Sequence, residues 1–196
     1  MQQYKLTLLH EHYKETFIHI QDYLKLRDKL FGFVLVIITL MLFQLYSPAG
    51  SANAISELLA KKLELNTVID ITFLSSIFWF ALLGLVVRYY QTVVHIERQY
   101  DYIHSLEDQL SPEFKGDAFT REGASYLANY PLFSSWVWIL YTIVFPTLLS
   151  AVVIVKITVE IMQAKSIAVL LCINVLLALC IFLSSVLYVS LVHFRK

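Results

Sequence analysis

The sequence predicts an all-α membrane protein that crosses the bilayer four times. Hydrophobic residues make up 58% of the 196-residue chain and charged residues only 15%. The mean hydropathy is +0.66, which is far from the value of an ordinary soluble domain. Four apolar segments are each long enough to cross roughly 30 Å of hydrocarbon as a helix. Lys and Arg residues are concentrated on one side of these segments, and this bias predicts an orientation.

The four predicted spans are residues 30–47, 69–90, 132–155 and 166–192. The first is uncharged and ends at Pro48, a residue that stops a helix. The second is uncharged between Asp70 and Arg88. The third carries aromatic residues such as Trp136 near its start, where amphipathic rings prefer the headgroup level.

The orientation follows from the 15 Lys and Arg residues of the chain. Eleven of them lie in the N-terminal arm (residues 1–29), the segment 88–131 and the tail 193–196, and four lie in the two other connections. Because cytoplasmic loops carry the excess of positive residues, both termini and the middle loop are predicted to be cytoplasmic. We expect a multi-pass protein of the cell inner membrane, with the lipid bilayer as its first partner.

Two cytoplasmic segments have the pattern of amphipathic helices. In the N-terminal arm, apolar residues recur at intervals of three and four, which predicts a helix that leads into the first span. The same rhythm continues beyond the second span, in a segment (residues 91–110) that we call the stalk. Its apolar stripe consists of Val93, Ile96, Tyr100, Ile103 and Leu110. The stripe has to be buried, and both the N-terminal helix of the same chain and the stalk of a neighbouring subunit fit it.

The predicted outer side is small. The outer loop, residues 48–68, contains the spacing of an amphipathic helix that lies on the membrane face. In the outer turn, residues 156–165, Lys156 and Glu160 are four residues apart and therefore share one face of a helix. This spacing predicts an ion pair on a third helix that projects past the membrane.

Polar residues near and within the spans are the candidate gating or docking residues. Arg121, Glu122 and Tyr126 belong to the re-entry loop after the stalk, which is either a docking element for a cytosolic protein or a turn anchored at the interface. Pro146 permits a kink in the third span, and Asn174 permits a hydrogen bond between helices or between subunits. Simple packing is the alternative for both.

The sequence predicts no catalytic, cofactor or metal site. Asp101 and His104 have the spacing of two ligands on one bundle helix, but a second motif in the same order is missing from the sequence. Arg98 and His104 fit the R-x4-6-H pattern of the HEPN ribonucleases. Six residues turn a helix by about 240°, so these two side chains point to different faces. We predict no enzymatic activity and no direct nucleic-acid binding; a membrane-embedded enzyme or a HEPN-like nuclease is the less favoured interpretation.

The overall plan of four spans and cytoplasmic helices in a chain of this length resembles the small multi-pass effector and accessory proteins of prokaryotic antiviral defence loci. These include proteins that accompany CRISPR nucleases and cyclic-nucleotide signalling systems. The resemblance implies a membrane protein that permeabilises the membrane, or senses infection there, under the control of a cytosolic partner. One subunit has too narrow a polar stripe to line a channel, so we expect a homo-oligomer that forms a pore between subunits. The alternative is a non-conducting sensor or scaffold that recruits a cytosolic protein.

Overall fold

The computed structural model describes residues 2–63, 71–110, 132–164 and 169–194, and the elements of this part of the chain are all helical. In chain order they are α1 (Gln2–Tyr46), α2 (Pro48–Leu63), α3 (Ile71–Leu110), α4 (Leu132–Ile139), a π-helical turn (Leu140–Val144), α5 (Phe145–Gln163) and α6 (Val169–Phe194). The predicted all-α class is confirmed.

In the part of the chain that the structure describes, four helical stretches are long and apolar enough to cross a membrane. They are Leu6–Tyr46, Ile71–Leu110, Trp136–Gln163 and Val169–His193. The prediction of a four-pass membrane protein is confirmed at this level. The first two stretches are 41 and 40 residues long, about twice the ~20 residues that a span needs. Both helices therefore continue well beyond the length that a bilayer requires.

A single non-helical residue, Ser47, separates α1 from α2. Its amide still donates to the Phe43 carbonyl at 2.9 Å, and the Ser51 amide donates to the Ser47 carbonyl at 2.9 Å. Pro48 occupies the first position of α2, where the N–H that proline lacks would have no intrahelical partner. The proline thus ends one helix and begins the next.

The third predicted span is one continuous helical stretch whose middle contains the π-helical turn. In a regular helix the ring of Pro146 would clash with the carbonyl of Thr142, four residues earlier. Thr142 lies inside the π-helical turn, and this wider turn accommodates the proline. The helix ends at Gln163; the amide of Ala164 still donates to the Glu160 and Ile161 carbonyls, and the extended ψ of Ala164 then turns the chain out of the helix.

The chain divides into two compact units. Unit 1 comprises Met1–Lys29 and Tyr89–Leu140, and unit 2 comprises Leu30–Arg88 and Tyr141–Lys196. Helices α1 and α3 each run without a break from one unit into the other.

Apolar side chains of α1 and α3 form the core of unit 1. Ile20 of α1 and Ile103 of α3 are completely buried. The Tyr13 hydroxyl donates to Glu107 Oε1 at 3.2 Å, and the rings of Tyr23 and His95 have their centroids 4.3 Å apart. Residue numbers rise along α1 as they fall along α3, so the two helices are antiparallel in this unit.

Unit 2 has an apolar outer surface. Large exposed side chains include Phe33, Phe80, Leu148 and Leu176, one on each of its four long helices. Three exposed threonines, Thr39, Thr147 and Thr158, donate their hydroxyls to carbonyls four residues earlier in their own helices, at 2.7–2.8 Å. These hydroxyls need no water. Both features suit helices that are surrounded by lipid.

Candidate functional site

A largely buried carboxylate, Glu160, is the centre of a polar group among the described residues of unit 2. Lys156, one turn earlier on α5, lies with Nζ 2.8 Å from Glu160 Oε1. From α3, the Ser75 hydroxyl donates to Oε1, and the Trp79 indole N–H lies 3.2–3.3 Å from both carboxylate oxygens. From α6, the Asn174 amide donates to Oε2 at 3.1 Å. Donors on three helices therefore hold one carboxylate.

Two further residues extend this arrangement. The Ser76 hydroxyl donates to Asn174 Oδ1 at 2.7 Å, so both ends of the Asn174 amide are engaged. Gln44 of α1 lies with Oε1 3.4 Å from the Ser75 hydroxyl, and its Nε2 donates to the Ile71 carbonyl at 3.1 Å. The Glu160 cluster, as we call it, consists of Gln44, Ser75, Ser76, Trp79, Lys156, Glu160 and Asn174. It joins all four long helices of unit 2.

The cluster is buried, although it contains two charged groups. The side chains of Lys156 and Glu160 are only 5% and 13% exposed, and Asn174 is completely buried. Removing a carboxylate and an ammonium from water costs several kcal/mol per ion, and a well-made pair with additional hydrogen bonds only offsets that cost. Because ionisable groups in membrane helices are costly, their presence is a pointer to function.

The cluster lies where the four spans end. Gln44 is two residues from the end of α1, Glu160 is three residues from the end of α5, and Ser75 is in the second turn of α3. Each residue adds about 1.5 Å to a helix, so these groups lie within about two turns of the helix ends. The site is therefore close to the edge of the apolar part of the bundle.

A cavity of about 330 Å³ lies beside the cluster. It is lined by polar and apolar side chains from five helices: Gln44, Leu45, Pro48, Ile71, Thr72, Ser75, Lys156, Val159, Glu160, Gln163, Ala164 and Leu171. Its volume falls at the lower end of the range of small-ligand pockets, roughly 300–1,000 Å³. The cluster thus presents charged and amide groups to a partly open cavity.

Fold and site together define a helical protein with four membrane-length helices and a charged hydrogen-bonded cluster at one end of them. Comparisons with protein-family models, with curated proteins and with solved structures found no match.

The stripe residues predicted from the stalk lie in unit 1. Val93, Ile96, Ile103 and Leu110 are buried within the single chain, and Tyr100 is half-buried. The contacts of Tyr13 and Tyr23 with the same helix show that α1 packs against it. An interface with another subunit or with a partner at these residues stays a prediction.

Two of the predicted gating or docking residues, Pro146 and Asn174, are described, and they lie at different places in unit 2. Asn174 belongs to the Glu160 cluster, where it joins helices of one chain. Pro146 is buried beside the π-helical turn, and there the ring of Phe31 packs edge-on against Tyr141 and Phe145, with centroids 5.2 and 4.9 Å apart. The residues of the re-entry loop, Arg121, Glu122 and Tyr126, lie outside the described residues.

The three weak catalytic candidates lie on the surface of unit 1. Arg98 and Asp101 are exposed and His104 is half-buried, with its ring centroid 6.5 Å from that of Tyr100. The helix is unbroken from Arg98 to His104, so no local bend brings their side chains together. Among the described residues, no three His, Cys, Asp or Glu side chains are grouped closely enough to hold a metal ion.

Sequence reasoning identified Glu160 but not its role as the centre of the site. It placed Lys156 and Glu160 on one helical face and gave them an ion pair, which the structure contains. It did not foresee that this face is buried against Trp79 and the two serines of α3. One signal was available: a Lys and a Glu one turn apart near the end of an apolar helix, with Asn174 in the next helix.

Proposed function

We propose that the protein is a non-conducting membrane sensor or scaffold. In this proposal the Glu160 cluster and its cavity respond to a molecule at the membrane edge, and unit 1 presents the response to a cytosolic protein. The observation that carries the proposal is the hydrogen-bonded cluster around Glu160, which joins four long helices. A change at Glu160 alters its contacts with α3, α5 and α6 directly and reaches α1 through Ser75.

The distribution of polar groups in unit 2 favours a sensor over a channel. Five of its buried polar side chains belong to the Glu160 cluster (Gln44, Ser75, Ser76, Lys156 and Asn174), whereas its exposed surface is largely apolar. The exposed Thr39, Thr147 and Thr158 hydroxyls are bonded to their own helices. A pore between subunits needs an outward polar surface, and the membrane-length helices described for this unit offer little of one.

The continuity of α1 and α3 supports communication between the site and unit 1. Gln44 of α1 and Ser75, Ser76 and Trp79 of α3 belong to the cluster, and the same two helices continue into unit 1. Charged side chains such as Glu11, Glu15 and Arg98 are exposed there. Exposed charges on a helical surface suit reversible recognition of a soluble protein.

A homo-oligomeric pore is the second candidate, and one observation favours it. The π-helical turn and Pro146 interrupt regular hydrogen bonding in the middle of the third long helix, and such sites are where helices bend. Bending there would expose groups of the Glu160 cluster to a neighbouring subunit. The pore would then be closed in the conformation described.

Ion flux separates the two candidates. The purified protein is reconstituted into vesicles that hold a potassium gradient, and the membrane potential is followed with a dye. We expect the potential to persist, as it does in empty vesicles. A leak that increases with protein density, and that falls in Pro146→Ala, would replace the sensor proposal with the pore.

Amide hydrogen exchange tests communication with unit 1. Glu160→Gln removes the charge that Lys156 and three other donors hold, and we expect exchange in residues 91–110 to change several-fold. Thr158→Val is the matched control, because Thr158 lies on the same helix, is exposed and bonds only to its own backbone. Protection of α6 checks that the variant is folded. Altered exchange confined to the cluster would refute the relay.

The architectural resemblance adds a biological setting, antiviral defence, to this proposal. We expect cells that carry the protein with its neighbouring genes to plate a subset of phages at reduced efficiency. The reduction should disappear in Glu160→Gln and persist in Thr158→Val. Equal plating of every phage tested on cells with and without the protein would exclude this setting.

A further inference from the structure

We propose that the cavity beside the Glu160 cluster binds a group without net charge that carries a phosphate or carboxylate next to an ammonium. This is the chemistry of a zwitterionic phospholipid headgroup, and also of a free zwitterion of similar size. The biological consequence of this binding rests on the proposed function, because the bound group would belong to the molecule that the sensor detects. The binding itself stands on the geometry of the cavity.

The position of the cavity favours a headgroup. Its wall includes Pro48 at the start of α2, Ile71 at the start of α3 and Ala164 just beyond α5. The ends of membrane-spanning helices lie near the headgroups, outside the hydrocarbon. A cavity built from helix ends is therefore reached by headgroups and by dissolved molecules, and it is distant from the middle of the acyl chains.

The hydrogen-bond donors in the cavity wall favour a ligand that carries an acceptor. An ammonium has three N–H donors, and the ion pair described for Lys156 engages Glu160. Lys156 is more than nine-tenths buried and lines the cavity. A phosphate or carboxylate oxygen at this ammonium would satisfy donors that are otherwise costly to keep from water.

The charge of the site limits the ligand to a neutral one. Lys156 and Glu160 are the two charged side chains described in the wall, and their charges cancel. An anionic ligand would add an unpaired negative charge near the Glu160 carboxylate in a region of low dielectric. A ligand with its own ammonium avoids that cost, because the Glu160 charge attracts the ammonium, and Gln163, whose amide has an acceptor oxygen, belongs to the same wall.

The remaining wall suits an amphiphile. Leu45, Val159 and Leu171 contribute apolar surface to the same cavity. A headgroup with the first carbons of its glycerol backbone would contact both kinds of surface. A free zwitterion would contact the polar part alone, and for this reason the two sources are separable by experiment.

The test measures the unfolding temperature of the full-length protein in detergent. Four probes are added in turn: short-chain phosphatidylethanolamine, short-chain phosphatidylcholine, short-chain phosphatidylglycerol and soluble glycerophosphoethanolamine. We expect a saturable rise of several degrees with at least one zwitterionic probe and none with anionic phosphatidylglycerol. A rise with lipids alone identifies a lipid as the source, and an equal rise with the soluble probe identifies a free molecule.

Variants locate the binding. The rise should be lost in the double variant Lys156→Gln with Glu160→Gln, which stays neutral, and should be kept in Thr158→Val. If the double variant does not fold, Gln163→Leu takes its place. Gln163 is an exposed wall residue outside the cluster, so this variant should fold and should show a smaller rise in unfolding temperature. An equal rise with phosphatidylglycerol, no rise with any zwitterionic probe, or an undiminished rise in Gln163→Leu and the double variant would overturn the proposal.

The two measurements on the same protein separate a failure of the ligand site from a failure of the proposed function. A saturable rise without any change in amide exchange at residues 91–110 would leave the ligand site standing and refute the sensor. If Glu160→Gln changes amide exchange at residues 91–110 but no probe raises the unfolding temperature, the sensor stands and the ligand site is refuted.

Discussion

The two units contain Lys–carboxylate pairs of similar local geometry in opposite surroundings. In unit 1, Lys25 Nζ lies 3.1 Å from Asp22 Oδ1, and the two side chains are 76% and 64% exposed. In unit 2, Lys156 Nζ lies 2.8 Å from Glu160 Oε1, and the side chains are 5% and 13% exposed. Both pairs span about one turn of one helix.

The surroundings of a pair, and not its spacing, decide its energetic role. The two groups of an exposed pair lose good contacts with water when they contact each other. The pair therefore contributes only about 0–1 kcal/mol to the free energy of unfolding. A buried pair is different, because removal of one partner leaves an uncompensated charge away from water. Both units have apolar cores, but the outside of unit 1 carries charged side chains, whereas the outside of unit 2 is largely apolar and its Lys–Glu pair lies inside. This difference is expected for regions surrounded by water and by lipid.

The largest expected effect is at the buried pair. Lys156→Met leaves the Glu160 carboxylate without its ammonium and should lower the free energy of unfolding by about 3–5 kcal/mol. The double variant Lys156→Met with Glu160→Met removes both charges and should recover much of that loss. Chemical unfolding in detergent measures both. Equal losses in the single and double variants would show that the charge pair is not the source of the effect.

The next effect is at the core of unit 1. Ile103→Ala deletes a completely buried side chain and should cost about 2–4 kcal/mol through lost burial and the cavity left behind. Proteolysis of residues 91–110 in the membrane-embedded protein should accelerate accordingly. Tyr102→Ala, next in the chain and half exposed, is the control and should change little. If the two variants behave alike, the core of unit 1 is not as described.

A smaller effect is expected at the hydrogen bond from Tyr13 of α1 to Glu107 of α3. Tyr13→Phe removes a donor from a buried carboxylate while it keeps the ring, and it should cost about 1–2 kcal/mol. Tyr4→Phe, whose ring is 76% exposed, should be silent. Amide exchange in residues 100–110 reports the difference. If Tyr13→Phe left amide exchange in these residues unchanged, water would have replaced the hydroxyl at Glu107.

The smallest effect is at the exposed pair. Lys25→Ala should change the free energy of unfolding by less than about 0.5 kcal/mol. Any change should shrink further at high salt, because exposed charges are screened. The measurement is the same chemical unfolding used for Lys156→Met. A loss comparable with that of Lys156→Met would contradict the contrast between the two units.

Local periodicity accounts for what the sequence predicted well. Apolar runs of membrane length predicted four long helices, because such a run has few alternatives in hydrocarbon. The spacing of Val93, Ile96 and Ile103 predicted that α3 continues as an amphipathic helix beyond its apolar part. The pairing of Lys156 with Glu160 was also readable, since both lie on one face of one helix.

Tertiary structure decided which surfaces meet. The sequence left two partners open for the stripe of α3, and the structure packs α1 of the same chain against it. The Glu160 carboxylate takes donors from Asn174, 14 residues away, and from Ser75, 85 residues away. Helical periodicity relates residues within one helix only, so it gives the face of a side chain but not what that face contacts. That choice depends on how the helices pack, and it turned a predicted exposed pair into the buried centre of the site.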